Sequence, residues 1–158
     1  MDSASLINTA KFTAIIPAIF LSGYTFMASQ NTISQLYDEP VHIGAPLFKR
    51  VFHAGGKPAI PLSVLSLLSS SYLAYEVPEK RLLWITAAAS ILAIRIYTQM
   101  MMPGINRLVE IADGGKDVQR KAEQTLEHRQ LMISWVNETY VRSAMAFLAG
   151  FAGLWASL

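Results

Sequence analysis

The most regular feature of the chain is the alternation of long apolar stretches with shorter polar segments. A helix that crosses a bilayer needs about 20 mostly apolar residues. Four stretches approach this length, at about residues 12–29, 59–77, 82–102 and 140–158, and an amphipathic segment at about 126–139 leads into the last one. The pattern predicts an all-α fold, a four-helix transmembrane bundle in a single membrane domain over residues 1–158.

Prolines, glycines and charges divide these stretches. Pro78 and Pro103 directly follow the second and third stretches, so we expect them to end those helices, whereas Pro61 is placed near the start of the second. Residues 54–58 (AGGKP) predict a tight connection and 113–117 (DGGKD) a turn. The charged segment 116–129 has the spacing of a solvated helix. The first stretch is expected to be a retained helix and not a cleaved signal peptide, because Lys11 is the only basic residue before it.

Composition supports the membrane interpretation and removes other classes. The chain is 53% hydrophobic and 15% charged, whereas soluble domains carry about 25% charged residues. Without cysteine, disulfides, thiolate metal sites and cysteine nucleophiles are excluded. A net charge of +2 is too small to indicate a nucleic-acid partner.

Basic residues predict the orientation. The first connection (30–58) and the third (103–139) together hold eight Lys and Arg residues, against Lys11, Lys80 and Arg81 on the opposite side. By the positive-inside rule, both large connections (loops 1 and 3) should lie on one side, in the cytosol, with both termini in the lumen or exterior.

The groups capable of acid–base chemistry gather at the same predicted end of the bundle. All three histidines, His42, His53 and His128, belong to the first and third connections. Their imidazole side chains titrate near neutral pH, which suits a general base. The histidines are 11 and 75 residues apart and form no H-E-x-x-H pattern, so no metal site is expected. A bis-histidine haem would need two histidines at comparable depth on facing helices.

Arg95 is the exception, because it is placed inside the third apolar stretch. A central arginine costs about 2.5–3.5 kcal/mol on insertion scales and must face the bundle interior or water. Arg95, Gln99, Met102 and Asn106 are spaced +4, +3 and +4, so they share one helical face that predicts a polar stripe leading into the bundle. No acidic residue occurs at its depth, which leaves a ligand or nearby hydroxyls as partners; the hydroxyl candidates are Ser22, Thr25, Ser29, Ser63, Ser66 and Ser70.

The fourth stretch offers two further patterns. Trp135, Glu138 and Arg142 share one face, and Glu138 could pair with Arg142, either at a site or as a juxtamembrane ion pair. Ala146, Gly150 and Gly153 have the spacing of helix-packing contacts, within the chain or in a homo-oligomer. Nucleotide-binding and serine-hydrolase motifs are absent from the sequence.

Two segments carry a family resemblance. YTQMMMPGINRLVEIAD (Tyr97–Asp113) and ISWVNETYVRSAMAFLAGFAGLWA (Ile133–Ala156) resemble the carboxy-terminal half of the anthrone oxygenase-like family of small four-helix membrane proteins. In that family a P-x-N-x-x-L-like turn ends the third helix, and a Trp, then Asn or His, then Arg begin the fourth. The matching positions here are Pro103, Asn106, Leu108, Trp135, Asn137 and Arg142, with one extra residue in the turn; the amino-terminal half is similar more loosely, through Gly23, Ser29 and FKRVFHAGGKPAIP.

The resemblance implies a fungal secondary-metabolism enzyme, a monooxygenase that converts an anthrone made by a polyketide synthase into an anthraquinone with O2. Such an enzyme uses no cofactor and resides in the endoplasmic reticulum or another endomembrane. We expect His53, or else His128, to be the base. The expected donors to the developing oxyanion are Arg95, Asn106, Asn137 and Arg142, and the expected substrate-binding residues are Gln99, Met102, Trp135, Phe52 and Tyr97. The partners are an apolar aromatic polyketide and the bilayer.

Two other functions fit the same sequence. One is another polyketide-modifying enzyme on the same fold, because no residue here separates substrates. The other is a non-catalytic four-helix membrane protein such as a transporter subunit, which would need a polar path that continues across the bilayer.

Overall fold

The computed structural model describes residues 3–158, and these are helical almost throughout, with no strand among them. Five α-helices follow in order: α1 (Ser3–Met27), α2 (Val41–Glu76), α3 (Arg81–Asp113), α4 (Lys116–Gln124) and α5 (Glu127–Ser157). A π-helical turn (Ala28–Ile33) and a 3-10 turn (Ser34–Leu36) continue α1, and a second 3-10 turn (Pro78–Lys80) joins α2 to α3. The all-α prediction is therefore confirmed.

The four long helices form a ring. Helix α1 packs on α2 and α5, and α3 packs on the same two helices, so α1 lies diagonally opposite α3. Within residues 3–158, three helical segments are long and apolar enough to cross a membrane: Ser3–Leu36, Val41–Glu76 and Pro78–Asp113. Helix α5 lies between α1 and α3 as the fourth long member of the ring.

The helices extend well beyond the predicted spans, which corrects the predicted loops. Helix α2 begins at Val41, so most of the expected first connection is helical, and the AGGKP segment and Pro61 lie inside α2. Helix α3 continues through Pro103 to Asp113, so Pro103 does not end it. The missing N–H of Pro103 costs one helical bond, but the next two turns bury Ile105 and Leu108 against Phe48 and Met132, which holds the helix together.

Other predicted boundaries are confirmed. Helix α2 ends at Glu76, just before Pro78, and α3 ends at Asp113 before the two glycines. The charged segment 116–129 is helical only in part as predicted: Lys116–Gln124 form α4, Leu126 at φ 55° ends this helix, and the last three residues belong to α5.

Small residues on α5 allow close contact with α1. A Cβ at Gly150 would lie 2.6 Å from Ile19 Cγ1, and one at Gly153 would lie 2.9 Å from Ile15 Cγ1. Ala146, Gly150 and Gly153 are all buried within the chain. Their packing is therefore within the chain, and a homo-oligomer stays a prediction.

Candidate active site

A cavity of about 430 Å³ lies among the four long helices. Its wall is mostly apolar, and each of the four helices contributes to it. The lining residues that bear on its chemistry are Tyr24 and Thr25 of α1, Phe52, Gly55, Gly56 and Ser63 of α2, Arg95, Thr98, Gln99 and Met102 of α3, and Trp135, Thr139 and Arg142 of α5. Ligand pockets usually measure about 300–1,000 Å³ and are mainly apolar with a few polar groups, so this cavity has the size and lining of a small-molecule site.

Arg142 is held in place on the α5 wall. Its Nη2 donates to Thr139 Oγ1 at 2.5 Å and its Nη1 donates to Thr98 Oγ1 at 3.5 Å, which connects α5 to α3. Its Cζ also lies 5.6 Å from the ring centroid of Trp135. The expected pairing with Glu138 is not formed; Glu138 instead accepts a hydrogen bond from Ser134. The direct contacts of the Arg142 guanidinium are therefore hydroxyls and an aromatic ring, and Glu138 acts on it only at longer range.

Arg95 reaches the same cavity from α3. Across the described part of the chain, residues 3–158, no hydrogen bond or ion pair to it is formed. Four of the six hydroxyls expected as its partners bond elsewhere; Ser66, for example, donates to the carbonyl of Ala14. Ser29 and Ser70 are buried without a hydrogen-bond partner among the described residues. A cation without a protein partner in an apolar cavity is a feature that a ligand can satisfy.

The charge of the cavity is one-sided. Two arginines line it, and none of its lining residues is Asp, Glu or His. In addition, Trp135 Nε1 and Arg142 Nε are buried without a hydrogen-bond partner among the described residues. An unpaired buried donor costs about 1–3 kcal/mol. The arrangement therefore favours a ligand that brings negative charge or strong acceptor oxygens.

Two adjacent glycines shape the α2 wall. A Cβ at Gly55 would lie 3.5 Å from the Tyr24 hydroxyl, whereas one at Gly56 would meet nothing within 4 Å. Larger side chains at these positions would occupy the cavity. The glycines that the sequence placed in a loop therefore help to create space inside a helix.

The cavity brings together six of the eleven predicted site residues. Arg95, Gln99 and Met102 lie on one face of α3, as expected, and Phe52, Trp135 and Arg142 complete the set. The other five lie outside it. Asn106 and Asn137 are exposed, and Tyr97 packs on the neighbouring apolar cluster. None of these three residues lines the cavity, so the cavity gives no support to their predicted roles.

The two histidines proposed as bases also lie elsewhere. His53 is on α2 and lines a separate, basic groove beside Lys49 and Arg50. His128 is buried in the first turn of α5, with Nδ1 3.5 Å from the carbonyl oxygen of Ala122. A general base must lie within hydrogen-bond reach of the proton it removes, and neither ring lines the cavity.

Three polar residues of the cavity, Tyr24, Thr98 and Thr139, were not among the predicted site residues. Thr98 and Thr139 lie one helical turn from Arg95 and Arg142, and this spacing was the signal that could have identified them. Tyr24 could not be found this way, because only the packing of α1 on α2 brings its hydroxyl near Gly55. Within residues 3–158, no group of three or more His, Asp or Glu side chains is placed to hold a metal ion.

The fold and the site define a class of protein: an all-helical protein with three potential membrane-crossing segments around an apolar cavity that holds two arginines. The family model described as anthrone oxygenase matches residues 48–152, which is well over half of the chain, and the chain belongs to this family. No curated protein and no solved structure matches the chain. The matched region includes the α2, α3 and α5 walls of the cavity.

Proposed function

We propose that the protein is a membrane-bound oxygenase that converts an anthrone-type aromatic polyketide to its anthraquinone with O2. The single observation that supports this most is the pair of arginines in an apolar cavity without an acidic residue in its lining. A flat, apolar substrate would pack against the apolar wall, and its anion, formed during the reaction, would be stabilised by the two arginines. Membership of the anthrone oxygenase family supports the oxygenase class.

The proposed reaction balances without a further reductant. The C10–H of the anthrone is acidic because its conjugate base is a delocalised enolate. That anion gives one electron to O2, and the resulting radical and superoxide combine to form a C10–O bond. After protonation, the C10 hydroperoxide loses its remaining C10 hydrogen and its O–O bond breaks, which gives the second carbonyl and one water. Anthrone plus O2 therefore becomes anthraquinone plus water.

In this proposal Arg95 and Arg142 stabilise the enolate and the peroxide oxygen. Charge stabilisation of this kind is stronger beside an apolar wall than in bulk water. Phe52, Met102 and Trp135 would contact the flat ring system, and Gln99 would offer a further donor. With the substrate anion favoured by two cations, solvent-derived water or hydroxide can accept the C10 proton. The roles of His53 and His128 as bases stay predictions, and their positions outside the cavity favour this alternative.

The packing at the other end of the bundle favours a pocket that is closed at that end, and argues against a transport path across the membrane. There Ala10, Ala14, Leu73, Trp84 and Ala156 form a buried apolar cluster. A polar route across the membrane would have to pass this cluster. Another polyketide-modifying reaction on the same fold remains the alternative function, because the cavity lining does not select one aromatic substrate over another.

We further propose that the ends of α2 and α3 that carry Lys49 and Asp113 face the cytosol, with the enzyme in the endoplasmic reticulum or another endomembrane. An apolar substrate would enter from the bilayer between the helices.

The test is incubation of membranes containing the protein with emodin anthrone under air and under argon, each with and without a chelator. The expected result is quinone formation that needs O2, exceeds the spontaneous rate of control membranes and is unaffected by the chelator. Quinone formation equal to that of control membranes would overturn the proposed function. Loss of activity with the chelator would instead show a metal-dependent oxygenase and overturn the cofactor-free mechanism.

A further inference from the structure

A second cavity, separate from the candidate active site, lies between α2 and the end of α3. Its volume is about 470 Å³. It is lined by Pro46, Lys49, Arg50, His53, Ala54 and Lys57 of α2, and by Ala112 and Asp113 of α3. We call it the basic groove, since three lining residues are cationic, one is a histidine and only one is acidic.

The one acid in the basic groove is already neutralised. Lys49 Nζ lies 2.6 Å from both carboxylate oxygens of Asp113. Neither Arg50 nor Lys57 forms a hydrogen bond or ion pair with any residue in the range 3–158, and the ring of His53 lies 5.6 Å from that of Phe52. Two positive charges and an imidazole therefore face the groove without a protein counter-ion. Elsewhere at this end, Arg107, Arg120 and Arg129 are each paired with a carboxylate.

The position of the basic groove along α2 matches the headgroup level of a bilayer. The 36 residues of α2 span about 54 Å at 1.5 Å per residue, well beyond a hydrocarbon core of about 30 Å. Lys57 directly precedes the apolar stretch of α2, so the groove begins where the hydrocarbon ends. At about 100° per residue, Lys49, Arg50, His53 and Lys57 share an arc of about 100°.

The same face of α2 becomes apolar and exposed below the groove. Val64 and Leu68 follow Lys57 at +7 and +11, and they are 49% and 64% exposed. At helical spacing both lie within about 20° of Lys57 around the axis. An anionic head at the groove would therefore be followed by an apolar strip that acyl chains can cover.

We propose that the basic groove is a binding site for an anionic phospholipid, with its phosphate held by Arg50 and Lys57 and its acyl chains lying along Val64 and Leu68. Arginine presents a fork of donors that fits phosphate oxygens, and lysine adds a compact charge. Basic pockets beside membrane helices bind lipid headgroups in this way. The apolar strip favours a lipid over free phosphate, which would use the charges alone. This proposal does not depend on the oxygenase reaction.

The test uses full-length protein in zwitterionic detergent, with bound lipid counted by native mass spectrometry after addition of phosphatidic acid or phosphatidylcholine. We expect one phosphatidic acid per chain, at least tenfold weaker retention in the R50Q/K57Q variant, and unchanged retention in the matched K11Q/K80Q variant. The control removes the same charge at the other end of the bundle. The R50K/K57R variant, which keeps both charges, should retain the lipid and so guards against a folding defect.

Competition separates a lipid site from a phosphate site. Inorganic phosphate or glycerol phosphate at the concentration of the lipid should displace little of it, because neither covers the apolar strip. Equal displacement by these soluble anions would overturn the lipid assignment. Equal retention of phosphatidylcholine and phosphatidic acid, or equal loss in R50Q/K57Q and K11Q/K80Q, would overturn the proposal as well.

Discussion

The guanidinium group of Arg142 lies over the indole ring of Trp135, with Cζ 5.6 Å from the ring centroid. Both residues come from α5, two helical turns apart, and both line the central cavity. Cation–π contacts of this kind contribute about 0.5–2 kcal/mol. Together with the hydrogen bond from Nη2 to Thr139, this contact fixes the direction in which Arg142 presents its charge.

Removing either cavity charge should impair turnover. For R95Q and R142Q we expect anthrone oxidation to fall roughly 10- to 150-fold, because a hydrogen bond to a charged group contributes about 1.5–3 kcal/mol. The measurement is O2-dependent quinone formation by purified variants, corrected for the spontaneous rate. K80Q, which removes a charge far from the cavity, is the control. Full activity in both arginine variants would show that the cavity is not the reaction site.

The histidines should matter far less if the arginines act as proposed. We expect H53Q to keep turnover within about twofold, because His53 does not line the cavity. General-base catalysis contributes roughly 100- to 10,000-fold, so a loss of that size in H53Q would restore His53 as the base. H128Q tests the buried histidine in the same assay, with thermal unfolding measured to separate a folding effect.

Filling the cavity should block substrate without unfolding the protein. In G56L the new side chain would enter open space, since a Cβ there meets nothing within 4 Å. We expect a roughly tenfold or greater loss of kcat/KM, equivalent to at least about 1.4 kcal/mol. G23L is the matched control, because Gly23 also has free space but lies outside the cavity. Equal kinetics for the two variants would contradict the assignment.

Stability should depend on the close approach of α1 and α5 at Gly150. In G150A the new methyl group would lie 2.6 Å from Ile19 Cγ1 and 3.3 Å from Ile19 N, so the Ile19 side chain or the helix backbone must shift. Overpacking of this kind costs about 1–3 kcal/mol. The measurement is the Tm in detergent. The double variant I19A/G150A should recover part of the loss beyond additivity; strictly additive effects would argue against this contact as the cause.

The start of α5 should respond to acid. Arg107 donates from Nε to Glu127 Oε1 at 2.7 Å and from Nη2 to Oε2 at 3.1 Å, and these bonds lower the pKa of Glu127 below its ordinary value. The pair thus stabilises the fold above the unfolded-state pKa, and this contribution is lost as the pH falls through the lower, folded value. Because the pair is partly exposed, E127Q should lower the Tm by less than about 4 °C at pH 7. The difference from the wild type should vanish in acid, and a difference independent of pH would contradict the assignment.

The helices were easier to predict than their ends. The length of the apolar stretches located the helices. Pro78 marked the end of α2 correctly, because Val77 leaves the helical conformation and the chain turns towards α3. The prediction that Pro103 ends α3 was wrong, because the burial of Ile105 and Leu108 stabilises the helix beyond the proline. A local breaker signal cannot report how much apolar surface the next two turns will bury.

Apolar length, motif spacing and an intramembrane charge are local properties of the chain, so the all-helical class, the family resemblance and the unusual position of Arg95 could be predicted before the helices were placed. Which polar groups meet depends on how the helices pack. The packing of α3 against α5 brings Arg142 to Thr98 and into the cavity with Arg95. On α2, His53 faces the basic groove and not the central cavity. Sequence spacing fixes which residues share a helical face, but the rotation of each helix against its neighbours decides which faces enclose a site.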